Sequence, residues 1–219
     1  MNLLWKEAYI KMIEVDIKAL RDIIATFMKP KRLTHTLGVE EEACALGSIF
    51  LPEKLNELSV AGLLHDITKE LSVEEHIQLC HEYGITVDFD NIESKLFHAK
   101  TGCEFARRKF GCEVVDDEIY YGIYYHTTGR EGMTLFESII YLADYIEKNR
   151  TFPDCVKLRE YFYNNLEKCD TIEQKKEILR MTMVLSFDMT IKNLIEESRG
   201  IDLDTIKARN YFLKNKNCF

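Results

Sequence analysis

Apolar residues recur every three or four positions along most of this 219-residue chain, and alternating strand-like runs are hard to find. Only three prolines interrupt the pattern, and the ten glycines are scattered. The stretch "IKALRDIIATFM" (17–28) shows the spacing, with Ile17 and Ile24 on one stripe. Pro30 then breaks it. This periodicity predicts an all-α protein with a single domain of roughly ten helices.

Capping and breaking residues indicate where the helices begin and end. Ser72 with Glu75, and Thr134 with Glu137, have the spacing of a capping box, in which each side chain bonds the other residue's backbone N–H. Glycines follow several of the periodic segments. Beyond the first helix, the predicted segments are 32–50, Pro52 to the His65–Asp66 pair, 72–84, 93–110, 116–129, one opening at Thr134, 154–168, 171–198 and 203–214.

The formal charge of the chain is -8. Extended nucleic-acid binding needs a basic face that neutralises phosphates, and no such face is visible in the sequence. An anionic ligand would therefore need positive charge that is concentrated locally. Metal ions are one way to supply it.

The seven cysteines form an odd set without a C-x-x-C pair, and we expect them to be small buried hydrophobic residues in a reducing cytosol. The N-terminal segment carries charges throughout and does not have the pattern of a signal peptide. No apolar run reaches 18 residues, so no membrane span is expected. These features predict a cytoplasmic protein.

The histidines and two aspartates carry the strongest chemical signal. Asp66 is adjacent to His65, and Asp144 lies beside the apolar stripe of "IIYLADYIE". Burying an unpartnered aspartate would cost several kcal/mol, roughly, and a metal would remove that cost. Imidazole with carboxylate suits iron, manganese, zinc, nickel or cobalt. We assign His76 and His81 to an interface or surface role. The other four histidines each occupy a different predicted helix or helix end: His35, His65, His98 and His126.

The order His, His-Asp, His, His, Asp resembles the HD-domain metal-dependent phosphohydrolases, an all-helical superfamily with the motif order H…HD…D. Five sequence segments resemble the YqeK family within this superfamily: "RLTHTLGV", "AGLLHDITKEL", "YYHTTGR", "YLADYIEKNR" and "FPDCVKLR". The similarity covers about residues 15–200. It implies an HD phosphohydrolase domain at 15–200. For the residues outside it we expect a helical extension at 1–14 and a C-terminal helix packed on the domain at 201–219.

The resemblance also implies a function. YqeK proteins are associated with symmetrical hydrolysis of diadenosine tetraphosphate to two ADP at an iron-containing site. On this hypothesis the enzyme is a metal-dependent bis(5'-nucleosyl)-tetraphosphatase in which metal-bound hydroxide attacks an inner phosphorus. The residues that match the core motif, and would bind the metal, are His35, His65, Asp66 and Asp144.

Other residues are expected to act on the phosphates. Lys69 lies one turn after His65, within reach of a substrate phosphate if helical geometry persists. The number of metals stays open: His98 and His126 either complete a second ion or donate hydrogen bonds to phosphate. We expect catalytic roles for Asp66, Lys69, His98 and His126. We expect substrate contacts from Lys69, His98, His126, Thr127, Arg32 and Arg130.

Three other functions compete with this one. The chain could be an HD phosphohydrolase acting on a deoxynucleotide or a cyclic dinucleotide. It could be a di-iron HD oxygenase, which uses a similar histidine and aspartate set. It could also be a non-enzymatic nucleotide sensor or interaction protein. The sequence has no recognisable motif that separates adenine from guanine, and a homodimer is compatible with its apolar N-terminal segment.

Overall fold

The computed structural model describes residues 15–86 and 94–219, so the predicted extension at 1–14 lies outside them. The described residues form ten α-helices, two short 3-10 helices (Pro52–Lys54 and Ser94–Leu96) and no β-strand. The all-α prediction is confirmed. The helices are α1 (Ile17–Ile24), α2 (Pro30–Phe50), α3 (Leu55–Leu64), α4 (Val73–Tyr83), α5 (Phe97–Phe110), α6 (Asp117–Tyr125), α7 (Leu135–Ile146), α8 (Pro153–Leu166), α9 (Ile172–Glu196) and α10 (Leu203–Lys214).

Both predicted capping boxes are present. Ser72 accepts a hydrogen bond from the backbone N–H of Glu75, and the Glu75 carboxylate accepts one from the backbone of Ser72. Thr134 and Glu137 make the same exchange at the start of α7. Each cap satisfies amide groups that a helix start leaves unpaired, which contributes about 1 kcal/mol to helix stability.

The first helix is shorter than the predicted 17–28. It ends at Ile24, where the hydroxyl and backbone N–H of Thr26 both bond the carbonyl of Ile23 and tighten the chain into a turn. Pro30 does more than break the pattern, because it is the first residue of α2. Proline fits that position since its missing N–H would have no helical partner there.

Helix α3 lies at the centre of the molecule. Every side chain from Leu58 to Leu64 is buried, and α3 contacts α1, α2, α5, α6 and α7. Gly62 allows α2 and α3 to approach closely, because a Cβ atom there would lie 2.9 Å from the Cα of Glu40. The residues that follow α3 directly are His65 and Asp66, so the packing of this helix carries them into the protein interior.

The C-terminal helices join the same hydrophobic core. Helix α9 packs against α7, α8 and α10, and the rings of Phe187 and Phe212 stack with 6.2 Å between centroids. The helix predicted at 203–214 is present and packs on α9. The proposed boundaries at 15–200 and 201–219 stay a prediction. None of the described helices combines the length and hydropathy needed to cross a bilayer.

The expectation that all seven cysteines are buried is wrong. Cys80, Cys103 and Cys155 are buried, while three others are partly exposed. Cys112 is exposed because it follows the glycine that ends α5 and lies in a surface turn.

Candidate metal centre and active site

Four predicted metal ligands converge from three helices. His35 comes from the second turn of α2, His65 and Asp66 follow the end of α3, and Asp144 comes from the last turn of α7. Nε2 of His35 lies 3.0 Å from Oδ1 of Asp144 and 3.7 Å from Oδ2 of Asp66. Nε2 of His65 lies 3.4 Å from Oδ2 of Asp66 and 3.7 Å from Oδ1 of Asp144. Two imidazoles and two carboxylates thus face one small space.

Hydrogen bonds on the far side of the rings orient the imidazoles. Nδ1 of His65 lies 2.7 Å from the carbonyl oxygen of Gly62, and Nδ1 of His35 lies 3.1 Å from Oε1 of Glu147. A nitrogen facing a carbonyl or carboxylate oxygen is the one that carries the proton. Nε2 of His65 is therefore left with a lone pair directed at the cluster, which is the arrangement of metal-binding histidines. Burial lowers the pKa of His35, but the carboxylates of Asp144 and Glu147 outweigh it and raise that pKa to about 9, so a metal would have to displace the proton on Nε2 of His35.

Three buried polar atoms in the described part of the chain have no hydrogen-bond partner: His35 Nε2, His65 Nε2 and Asp66 Oδ1. An unsatisfied buried group of this kind costs about 1–3 kcal/mol. All three point into the same cluster, and the ligand atoms of His35, His65 and Asp144 lie within 4.8 Å of one another. The cluster therefore fits a metal ion with imidazole and carboxylate ligands.

A second group of ligand atoms adjoins the first. Nε2 of His98 lies 3.2 Å from Oδ1 of Asp66, and Nε2 of His126 lies 3.7 Å from the same oxygen. His65, Asp66 and His126 also place ligand atoms within 4.8 Å of one another. Asp66 thus directs one oxygen towards His35 and the other towards His98. That geometry suits a carboxylate shared between two ions, as well as a single ion flanked by two imidazoles.

Three cations surround this cluster. Nζ of Lys69 lies 3.0 Å from Nε2 of His98. The guanidinium of Arg32 lies 2.5 Å from Oδ2 of Asp66, and that of Arg150 lies 2.6 Å from Oδ1 of Asp144. Lys69 and Arg32, which we expect to contact substrate phosphates, both lie at the cluster. Arg150 was missed, and its only sequence signal is that it ends the motif "YLADYIEKNR".

Burial and neighbouring charge set the protonation of the cluster. Burial alone raises the pKa of Asp66 and Asp144, but the imidazole of His65 beside Asp66 and the charge of Arg150 beside Asp144 hold both pKa values well below the usual range. Burial lowers the pKa of His98 to about 3 and also lowers the pKa of Lys69. The carboxylates are therefore ionised and His98 is neutral at pH 7, which is the state that metal binding requires.

A cavity of about 660 Å³ opens onto this cluster and is the size of a small-molecule site. Phe152 lies at its edge with 68% of its surface exposed. Its lining residues are Lys31, Arg32, Thr34, His35, Asp66, Lys69, Glu70, Asp144, Glu147, Asn149, Arg150, Thr151 and Phe152.

Two predicted substrate contacts end up elsewhere. Arg130 does not line this cavity, because its guanidinium bonds both oxygens of Glu137 at 2.8 and 2.9 Å and lies over the ring of Tyr125. Thr127 lines a separate cavity beside His126. The structure therefore brings Arg32 and Lys69 to the cluster, and does not bring Arg130 there.

The remaining two histidines lie outside the cluster, as expected. His76 is buried between α4 and α5, where Nδ1 lies 2.8 Å from the hydroxyl of Thr101. His81 lies in the last turn of α4 and is exposed.

The comparisons with known proteins agree with this geometry. The family model described as HD domain matches residues 32–149, which include every histidine and aspartate of the cluster. The chain belongs to the HD-domain family. A protein from Halalkalibacterium halodurans named "Bis(5'-nucleosyl)-tetraphosphatase, symmetrical" is 32% identical over 196 residues, which is 90% of this chain and 96% of that protein.

Two further relatives support the assignment to the HD family. A protein of the same name from Staphylococcus aureus is 29% identical over 90% of this chain and 95% of its own length. A crystal structure of a predicted HD superfamily hydrolase involved in NAD metabolism, from Clostridium acetobutylicum, superposes with a TM-score of 0.77 at 33% identity. The superposition covers 91% of this chain and 97% of the C. acetobutylicum chain. The resemblance to the YqeK family is confirmed.

Proposed function

We propose that this HD protein is a metal-dependent phosphohydrolase that cleaves diadenosine tetraphosphate symmetrically into two molecules of ADP. The relatives from H. halodurans and S. aureus carry the name of that activity and align along nearly their whole length. The single observation that carries the proposal is the placement of Lys69, Arg32 and Arg150 around the imidazole and carboxylate cluster. A site for a polyphosphate needs both metal ligands and fixed cations.

The metal ligands in this proposal are His35, His65, Asp66 and Asp144. We propose iron as the ion, with manganese, nickel, cobalt or zinc as substitutes, because imidazole and carboxylate donors suit all of them. When bound, such an ion activates water for attack on phosphorus and withdraws charge from a phosphoryl oxygen. His98 and His126 either hold a second ion or donate hydrogen bonds to the phosphates.

The three cations supply the local positive charge that the acidic chain as a whole lacks. Lys69 and Arg150 line the cavity and face the space beside the candidate ligands. They neutralise the phosphates next to the bond that breaks and the charge that develops on the departing ADP. Arg32 bonds Asp66 and lines the same cavity, so it is placed to contact a phosphate farther along the substrate.

This arrangement separates the proposal from its rivals. Three cations within hydrogen-bond distance of the cluster favour a polyanionic substrate over the uncharged organic substrate of an oxygenase. A sensor would not need the buried Nε2 of His65, which has no hydrogen-bond partner and is oriented towards the cluster by the bond of Nδ1 to Gly62. A small-molecule nucleotide is therefore the proposed partner, while a homodimer and a cytoplasmic location stay predictions.

A nucleotide panel tests the proposed substrate. The protein is stripped of metal, reloaded with Fe(II) or Mn(II), and supplied with diadenosine tetraphosphate, deoxynucleoside triphosphates or a cyclic dinucleotide. We expect the highest kcat/KM with diadenosine tetraphosphate. A higher value for either of the other classes would assign the HD site to that substrate. Turnover by none of them would favour the sensor.

A further inference from the structure

The segment "FPDCVKLR" (152–159) ends in Arg159, which lies in the second turn of α8. The HD match ends at residue 149, so Arg159 lies beyond it. Arg159 lines neither the first cavity, of about 660 Å³, nor the second cavity beside His126. Any effect of Arg159 on the metal centre must therefore pass through other residues.

The guanidinium of Arg159 bonds one short stretch of backbone. Its Nε–H donates to the carbonyl oxygen of Ile146 at 2.5 Å, and its Nη2 donates to the carbonyl oxygen of Arg150 at 2.9 Å. Nη2 also donates to the carbonyl oxygen of Glu147. Because the N–H groups of a guanidinium form a rigid planar fork, the three carbonyls bound to it are held in fixed positions relative to one another.

These carbonyls belong to the end of α7 and to the turn that follows it. Helix α7 ends at Ile146, and the last carbonyls of a helix have no partner within the helix. The turn from Glu147 to Arg150 is closed by the backbone N–H of Arg150 on the carbonyl of Glu147, at 3.1 Å. Arg159 thus holds the helix end and both ends of the turn. Its charge is also favourable there, because a helix C-terminus carries partial negative charge.

The same turn carries two side chains that contact candidate metal ligands. Oε1 of Glu147 lies 3.1 Å from Nδ1 of His35, and Nη2 of Arg150 bonds Oδ1 of Asp144 at 2.6 Å. Both contacts depend on where the backbone of the turn lies. Because Arg159 fixes that backbone, one residue outside the cavities controls the partners of two candidate ligands.

The charge of Arg159 also acts on α2, the helix that carries His35. Glu42 lies two turns after His35 on α2, and its carboxylate accepts a hydrogen bond from the hydroxyl of Tyr163, one turn after Arg159 on α8. Burial raises the pKa of Glu42, while the bond from Tyr163 and the charge of Arg159 oppose that rise. Arg159 therefore connects α8 both to the turn and to the helix that the turn supports.

We propose that Arg159 is a positioning residue of the metal centre. It holds the segment 146–150 so that Glu147 orients His35 for the metal and Arg150 reaches both Asp144 and the phosphates. This role rests on the proposed function only for its kinetic effect, because its effect on metal binding is measured without any nucleotide.

Titration of the metal-stripped protein with Mn(II) tests the effect on metal binding. Arg159→Met removes the donors and keeps much of the side-chain volume. It should weaken Mn(II) binding about tenfold, the lower end of the effect of losing a group that orients a metal-binding histidine. Arg159→Lys keeps the charge and part of the donor capacity, so it should recover part of the affinity. It also provides the measurement if the methionine variant does not fold.

Arg180→Met is the matched control. Arg180 is buried and also donates to a backbone carbonyl near a helix end, that of Phe212 in α10, at 2.5 Å. It lines neither cavity. Its loss should lower the thermal unfolding temperature and leave the Mn(II) dissociation constant unchanged. The comparison therefore separates a general loss of stability from an effect on the metal centre.

Double-mutant cycles test whether Arg159 acts through the two side chains of the turn. Once Glu147→Ala has removed the partner of His35, adding Arg159→Met should weaken Mn(II) binding by no more than about twofold further. At saturating Mn(II), Arg159→Met alone should lower kcat/KM for diadenosine tetraphosphate about tenfold, the effect of losing a hydrogen bond to a charged group. In the Arg150→Met background it should lower kcat/KM by no more than about twofold.

Two results would overturn the proposal. One is a folded Arg159→Met variant that binds Mn(II) as tightly as the wild type. The other is an effect of Arg159→Met on Mn(II) binding that is equally large with and without Glu147→Ala, since Arg159 would then act independently of Glu147. A protein that releases no ADP from diadenosine tetraphosphate would refute the proposed function instead, and the Mn(II) titrations would still decide the role of Arg159.

Discussion

Oδ1 of Asp144 lies 2.6 Å from the guanidinium of Arg150 and 3.0 Å from Nε2 of His35. One carboxylate oxygen thus faces a candidate metal ligand and a permanent cation together. The Arg150 side chain is 29% exposed and lines both cavities. It can therefore keep Asp144 ionised for the metal and also present its other N–H groups to a phosphate.

Arg150→Met should lower kcat/KM for diadenosine tetraphosphate about ten- to hundredfold, because a hydrogen bond to a charged group contributes about 1.5–3 kcal/mol. Metal content should be unchanged, since the Asp144 carboxylate remains. Steady-state kinetics with elemental analysis checks both. Arg209→Met is the surface control, because Arg209 pairs with Asp188 and lines neither cavity. Loss of the metal together with activity would instead give Arg150 a structural role.

Asp66→Ala should abolish metal binding and turnover while the helices remain. Its two oxygens face both groups of candidate ligands, so no other side chain can replace it. Metal content is measured by elemental analysis and helicity by circular dichroism. Asp188→Ala removes an exposed carboxylate and should behave as wild type. Native turnover by the Asp66 variant would refute the site assignment.

Glu147→Ala should weaken metal binding about ten- to hundredfold, the usual cost of losing the partner of a metal-binding histidine. The buried Glu147 carboxylate accepts the Nδ1–H of His35, and its other oxygen accepts the backbone N–H of Asn149 at 2.6 Å. Glu147→Gln keeps an acceptor and should recover part of the affinity. Metal titration of the stripped proteins measures the dissociation constants, and equal constants would exclude this role.

Phe152→Ala should raise KM for diadenosine tetraphosphate about five- to hundredfold, because stacking of a base on an aromatic ring contributes about 1–3 kcal/mol. The exposed ring of Phe152 lies at the edge of the first cavity. Phe152 is the residue before α8, and its side chain makes no hydrogen bond that caps this helix. Tyr121→Ala removes an exposed ring from α6, outside both cavities, and serves as control. An unchanged KM would mean that the base binds elsewhere.

Local sequence rules predicted most of the fold and the positions of the candidate ligands. The capping boxes at Ser72 and Thr134 depend on residues three positions apart, so the sequence alone reveals them. His65 and Asp66 could be predicted because they follow the mostly apolar run from Leu58 to Leu64, which is buried throughout. The motif order then placed His35 and Asp144 beside them.

The errors came from contacts that sequence spacing does not encode. Glu147 and Arg150 were missed because the chain leaves α7 at residue 147 and turns back, which brings both side chains to candidate ligands on α2 and α7. Arg130 was expected at the phosphates, but its guanidinium instead donates a hydrogen bond to the carboxylate of the capping-box residue Glu137. Neither outcome follows from helical periodicity.

Product analysis tests the central claim most directly. The purified protein is reloaded with Fe(II) or Mn(II), incubated with diadenosine tetraphosphate, and its products are separated by anion-exchange chromatography beside the Asp66→Ala variant. We predict ADP as the only product, formed by the wild type and only with added metal. ATP together with AMP, or ADP formed equally by the Asp66 variant, would contradict symmetrical hydrolysis at this centre.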